Sequence, residues 1–270
     1  MQLMSDQRAG GNLIFLLGIT HRSGTNYLQK LITLHPECCS SPIGLWEDFL
    51  LPESERLVAY ASATAAKWVP TGLGEHVSQK TILESLGTGL ESFLRHGCQA
   101  RYLVTKTPSP KGVENLPSLF PASRVLLLVR DGRDVACSGM SSFGWTFENA
   151  VKRWKEGARH IIRFREEHPC FPYATVRYED LFMRLPEVVT EICTLMDLSV
   201  QDFSMEAASR ISVIGSSDLA RAGGRMHWNG VERTSDFQPV GRWQSDLTSA
   251  QQAAFWEQAH QEMTAFGYMS

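Results

Sequence analysis

Four short apolar runs frame the chain. "NLIFLLG" (12–18), "RYLVTK" (101–106), "RVLLLVR" (124–130) and "YATVRY" (173–178) are rich in Leu, Ile and Val, as expected of strands buried on both faces of a parallel sheet. Helical periods fill the intervals. Tyr27, Leu28, Leu31, Ile32 and Leu34 mark one face, and Val77, Leu83, Leu86, Leu90 and Phe93 mark a second that stops near Gly97. Phe147, Val151, Trp154, Ala158, Ile161 and Ile162 line a third. "LPEVVTEICTLM" carries Pro186 where a first helical turn tolerates it, and Thr248 and Gln251 are spaced as a capping box. Strands alternating with helices predict an α/β single domain over 12–270. Its central parallel sheet is flanked by helices, with right-handed crossovers and ligands at the carboxyl ends of the strands.

Two segments break the pattern. Residues 35 to 74 mix Pro, Gly, Ser and Trp without clear period, and 215 to 240 form a polar, Gly-rich, arginine-dotted stretch. Long irregular loops in a compact domain usually cover a site, so both are expected to shape the acceptor pocket or its lid. Residues 1–11 are expected to be a flexible N-terminus.

Composition narrows the function classes. The formal net charge of −3 and the lack of a basic run argue against a general nucleic-acid or anionic-membrane surface. Any anion must be bound locally. Six scattered cysteines match neither a disulfide scaffold nor a CxxC pattern. "LIFLLGI" is too short to cross a bilayer and no signal-peptide layout precedes it. Cytoplasmic residence with reduced thiols is the expectation, and no zinc-spaced ligand cluster or nucleophile elbow appears.

The chemistry concentrates in "GITHRSGTNY" (18–27). A buried strand ends on a loop containing Gly18 and Gly24, and the following helix offers backbone N–H groups at its positive end, a combination that binds phosphate. A nucleotide triphosphatase loop would read G-x-x-x-x-G-K-[ST]. Here the glycines are five residues apart and Thr25 follows Gly24 with no lysine between them, so Arg22 supplies the charge, in a fork suited to phosphate or sulfate oxygens. In "RVLLLVRDGRDVACS" (124–138), Arg130 at a strand's carboxyl edge and Ser138 about two helical turns later could share a second phosphate. The plainer alternative is a surface salt-bridge cluster of Arg130, Asp131, Arg133 and Asp134.

"THRSGTNYL", then "KTP", "LFPASRVLLLVRDGRDVACS", "VRYEDL" and "VGRWQSDLT", in that order, closely resemble the sulfotransferases that use 3′-phosphoadenosine 5′-phosphosulfate (PAPS). The resemblance runs from about Leu13 to Gly267. It implies that Arg22, Ser23, Gly24, Thr25 and Asn26 grip the 5′-phosphosulfate and that Tyr27 stacks on adenine. It further implies that Arg130 and Ser138 hold the 3′-phosphate, that Tyr178 approaches the adenine, and that Lys106 faces the bridging oxygen, where an ammonium offsets the charge of the departing phosphate. Glu179 and Asp180 are expected to cap the following turn.

The chain departs from the family in two places. Cytosolic members often carry K-T-H where this chain reads Lys106-Thr107-Pro108, so the usual histidine base is absent. Other branches use a glutamate after the first helix, where "SPIGLWEDFLL" presents Glu47 and Asp48. A carboxylate beside Trp46 and Phe49 would be partly desolvated and more basic, and Glu47 is preferred over Asp48. His76 and His227 are the rivals, while His21 is expected to orient the donor loop. The R-K-G that relatives place before G-x-W is replaced by Asp236-Phe237-Gln238, with Arg233 or Arg242 as substitute grips.

These observations predict sulfuryl transfer from PAPS to a hydroxyl or amine of a small-molecule acceptor. Glu47, Lys106 and Arg22 are its catalytic candidates, no metal is required, and the oligomeric state is left open. A P-loop small-molecule kinase and a non-catalytic nucleotide-binding protein stand as alternatives.

Overall fold

A computed structural model describes residues 13–45, 47–72, 77–212 and 238–270. Its strands are β1 (Leu13–Gly18), β2 (Cys38–Ser40), β3 (Tyr102–Thr107), β4 (Arg124–Val129) and β5 (Tyr173–Arg177). They form one parallel sheet in the order β2-β3-β1-β4-β5. The connections carry α1 (Thr25–Ile32), α2 (Ser54–Trp68), α3 (Gln79–Leu94), α4 (Leu116–Leu119), α5 (Gly132–Phe143) and α6 (Phe147–Glu167). After β5 come α7 (Asp180–Met183), α8 (Leu185–Met196), α9 (Met205–Ser209), α10 (Trp243–Asp246) and α11 (Ser249–Ala265).

The strand side chains alternate between two cores, the period of two that a pleated strand imposes. Leu13, Phe15 and Leu17 of β1 join Val125, Leu127 and Val129 of β4 beneath Trp154, Ala158 and Ile161 of α6 and Phe255 of α11. Ile14, Leu16, Leu126 and Leu128 face the other way, against Leu28 and Leu31 of α1 and Val188 and Ile192 of α8. Both faces are apolar because both are covered, and each fully buried large side chain contributes about 1.5–3 kcal/mol. β1 lies at the centre with its successors on either side, so the carboxyl ends of β1, β3, β4 and β5 meet along one edge. That is where an open α/β sheet binds ligands.

Two expectations need correction. The segment 35 to 74 is not simply loop: it holds β2 and the fifteen residues of α2. α2 fully buries only Ser54 and Ala61 and leaves Tyr60 exposed, so no apolar stripe is written in the sequence. In α3 the buried residues are Leu83, Gly87 and Leu94, while Phe93 is 57% exposed. The face is turned by close packing, since a Cβ on Gly87 would stand 1.7 Å from the Leu119 carbonyl oxygen.

Helix starts follow their signals. Thr248 and Gln251 form the capping box that opens α11, and Pro186 sits in the first turn of α8. Among the described residues no helix is long and apolar enough to cross a membrane.

Candidate active site

After β1 the chain turns through a loop in which Arg22 (φ 72°) and Gly24 (φ 99°) adopt left-handed backbone. Gly24 is required twice over: for that φ, and because a Cβ there would lie 2.3 Å from the Tyr178 ring. Its carbonyl accepts from the Tyr27 and Leu28 amides. As the N-cap of α1 it brings no capping side chain, so the helix's positive end is left to an anion. The Ser23 hydroxyl is turned inward and donates to the Thr20 carbonyl at 2.5 Å. It therefore shapes the loop, while Thr25 and Asn26 occupy the first turn of α1.

The second phosphate motif is joined directly to the first. Arg22 Nε donates to Ser138 Oγ at 3.0 Å. Arg130, immediately after β4, donates through Nη1 to the Arg22 carbonyl (2.8 Å) and through Nη2 to the Pro239 carbonyl (2.5 Å). Arg130 Nε is buried with no hydrogen-bond partner among the described residues. The surface-cluster alternative fails, since Arg130, Asp131, Arg133 and Asp134 are all 6% exposed or less. Arg133 forks onto Asp131 at 3.1 and 2.8 Å. Asp134 accepts from the amides of Gly241 (2.8 Å) and Trp243 (3.0 Å), which pins the "VGRW" stretch to α5. Burial pushes the Asp134 carboxyl above the usual range, opposed by Arg130 and by those amides.

Three rings pack together beside the loop. Tyr27 stacks on Phe182 with centroids 5.5 Å apart and planes 18° apart, and Tyr178 tilts against the same Phe182 at 5.0 Å. Tyr178 is buried, with the Arg130 guanidinium 4.5 Å from its ring centre. Phe182 was missed by the sequence reading, although it lies one helical turn past Tyr178. Glu179 does not cap the following turn by its side chain. It is buried and accepts from the Asp131 amide and the Tyr268 hydroxyl, both at 2.8 Å.

On the far side of β1, Lys106 is in register with Leu16 at the end of β3 and is 3% exposed. Burial lowers its ammonium pKa, and the nearby Glu47 and Asp48 carboxylates oppose that shift. Its Nζ stands 3.7 Å from Glu47 Oε1. Asp48 is engaged otherwise: its amide donates to the Lys106 carbonyl (3.3 Å), and its Oδ1 accepts from the Leu50 amide (2.9 Å) and the Thr107 hydroxyl (3.1 Å). Burial raises the Asp48 pKa against those bonds. Of the two carboxylates, Glu47 faces the lysine and Asp48 braces the loop.

His21 lies on the seam between these halves, its ring edge-on to Phe143 at 6.2 Å. Burial lowers its pKa; Glu47 opposes this, while Arg153, Arg22 and Lys106 add to it. It therefore senses the carboxylate of one half and the arginine of the other. Arg242 is buried and pairs with Asp246 at 3.0 Å. Trp46, His76, Arg221, Arg225, His227, Arg233, Asp236 and Phe237 lie outside the described residues, as does most of the 215–240 segment.

The class is a P-loop-like α/β domain whose two arginine-bearing loop motifs are joined by hydrogen bonds. The sulfotransferase family profile matches residues 14–202, and the chain belongs to that family. It is 24% identical over 241 residues to protein-tyrosine sulfotransferase 1 of Danio rerio, covering 83% of this chain and 61% of that protein. It is 33% identical over 129 residues to protein-tyrosine sulfotransferase 2 of Gallus gallus, covering 45% of this chain and 32% of that protein. The chain thus matches less than two-thirds of the length of these relatives. Among solved structures it resembles the sulfotransferase domain of the Synechococcus PCC 7002 olefin synthase, with a TM-score of 0.61, 18% identity and full coverage of both chains. A mouse sulfotransferase complexed with PAP gives a TM-score of 0.51 at 13% identity, over 94% of this chain and 84% of that one. At such identities the likeness establishes the fold.

Proposed function

We propose that this chain transfers a sulfuryl group from PAPS to a hydroxyl or amine of a small-molecule acceptor. The observation that carries the reading is the joining of Arg22, Ser138 and Arg130 on one side of β1, opposite Lys106 and Glu47 on the other. The residues present fit the donor. A left-handed glycine opens a helix N-terminus, Arg22 bonds Ser138 while Arg130 bonds the Arg22 carbonyl, and a buried guanidinium nitrogen of Arg130 lacks a partner among the described residues. The neighbour solved with PAP supports the same donor.

PAPS supplies the sulfuryl group on a stable leaving phosphate, so the protein's task is positioning and charge. Arg22 and the first-turn amides of α1 hold the 5′ end, Arg130 and Ser138 the 3′-phosphate, and Tyr27 the base. Glu47 takes the proton from the acceptor's oxygen or nitrogen as that atom bonds to sulfur. Lys106 steadies the negative charge gathering on the oxygen whose bond to sulfur breaks. Before reaction, Glu47 partly compensates the buried Lys106 ammonium.

The test is thermal stabilisation by adenosine 3′,5′-bisphosphate (PAP) against ATP with magnesium. A ligand at about 100 times its Kd adds roughly 2.7 kcal/mol, so PAP should raise Tm by several degrees and ATP should not. A larger shift with ATP and magnesium would replace this reading with a kinase. Transfer is then assayed over a panel of phenols, alcohols, amines and, because the relatives are named for protein tyrosine, a tyrosyl peptide.

A further inference from the structure

We infer that Tyr268 is a positioning residue for the 3′-phosphate grip, acting through Glu179; this rests on the donor reading above. Tyr268 is 5% exposed and follows α11, far in sequence from every phosphate motif. Its hydroxyl donates to Glu179 Oε2 at 2.8 Å, and the other oxygen of the same carboxylate accepts from the Asp131 amide at 2.8 Å. Asp131 is the N-cap of α5. It stands between Arg130, at the end of β4, and the helix that carries Ser138. The carboxylate therefore clamps the one backbone joint that sets the distance between the two groups of the grip.

A second tie from the same segment reaches the same joint. Arg133 Nη2 donates to the Met269 carbonyl at 2.9 Å while that guanidinium forks onto Asp131. Arg177 completes the brace, 4.5 Å from the Tyr268 ring centre and 4.0 Å from Glu179 Oε2. Buried polar groups cost free energy unless fully hydrogen-bonded. Tyr268, Glu179, Asp131 and Arg133 are buried and Arg177 half-buried, with the Tyr268 ring packed in the core beneath α6 and α11 while its hydroxyl joins the network at this corner. Tyr268 remains a donor through the physiological range, because burial, with the Glu179 carboxylate adding, raises its pKa well above the ordinary phenol value.

The experiment compares the native chain with Tyr268→Phe, which removes one oxygen and keeps the ring. Calorimetric Kd values are measured for PAP and for adenosine 5′-monophosphate, which lacks the 3′-phosphate. Loss of one hydrogen bond should weaken PAP by about three- to tenfold and leave the monophosphate within about twofold, collapsing discrimination between the two. Amide hydrogen exchange at Asp131 should accelerate in the variant, a readout independent of any ligand. Equal PAP binding by the two chains, an equal loss for both nucleotides, or unchanged exchange at Asp131 would each overturn the brace. Failure of the native chain to bind PAP would instead overturn the donor assignment beneath it.

Discussion

On the proposed donor side of β1 the charged groups are tied together: Arg22 to Ser138 and Arg130 to the Arg22 carbonyl, with the neighbouring Asp131 amide held by Glu179. On the acceptor side, Glu47 meets Lys106 across 3.7 Å, beside Leu45 and Phe49, which are 41% and 51% exposed. In the proposed function the donor side would be a preorganised anion site, where charge stabilisation needs little rearrangement at the moment of reaction. The acceptor side combines one ion pair with apolar surface open to a partner. In the function proposed above, one half would hold a constant ligand and the other receive a variable one.

That contrast can be broken most sharply at the acceptor carboxylate. Glu47→Gln should lower the transfer rate by about 10²–10⁴, the usual worth of a positioned general base, while the PAP Kd from calorimetry stays within about twofold. Activity retained in Glu47→Gln but lost in Asp48→Asn would move the base by one residue. Lys106→Met should cost about 10²–10³ in rate without lowering Tm at pH 7. The sign follows from its depressed pKa: carrying the buried charge disfavours the folded state below the folded-state pKa, and that penalty is relieved as pH rises through it. For the same reason transfer should decline on the alkaline side earlier than an ordinary lysine would dictate.

Arg130→Ala probes the other half. Losing charge-assisted hydrogen bonds should weaken PAP by about 10–100-fold. Because the side chain also holds two carbonyls, Tm should fall too, unlike in Glu47→Gln. PAP affinity unaffected by Arg130→Ala would dissolve the distinction between the two halves.

The smallest effect tests their seam. His21, held below the usual imidazole value mainly by burial and raised in part by Glu47, should titrate below about 6.5 by NMR and so be neutral at pH 7. Glu47→Gln should move that midpoint lower still, and an unchanged midpoint would mean that the halves are electrostatically separate.

Much of this was legible in the chain itself. β1, β3, β4 and β5 announced themselves as unbroken apolar runs because both sheet faces are covered. The turns at Gly24 and the capping box at Thr248 rest on local backbone chemistry. α2 was not legible, because a helix that fully buries only Ser54 and Ala61 writes no stripe. The true face of α3 was not either, because Gly87 is chosen by the neighbouring Leu119 carbonyl rather than by its own helix. Within the site, Arg22, Ser138, Arg130 and Lys106 stood out by motif. Phe182, the buried network of Glu179 with Tyr268, and the Asp134 clamp on Gly241 and Trp243 did not.

By itself, then, the sequence determined the α/β class, the phosphate loop and the family, since each depends on residues close together along the chain: strand periodicity, a glycine with positive φ, a helix start. Only the tertiary structure decided which charges meet. Arg22 and Ser138 are separated by 116 residues, and Tyr268 and Glu179 by 89. Pairings at such separations are set by the order of strands in the sheet, which brings four carboxyl ends to one edge, and no local pattern encodes that order.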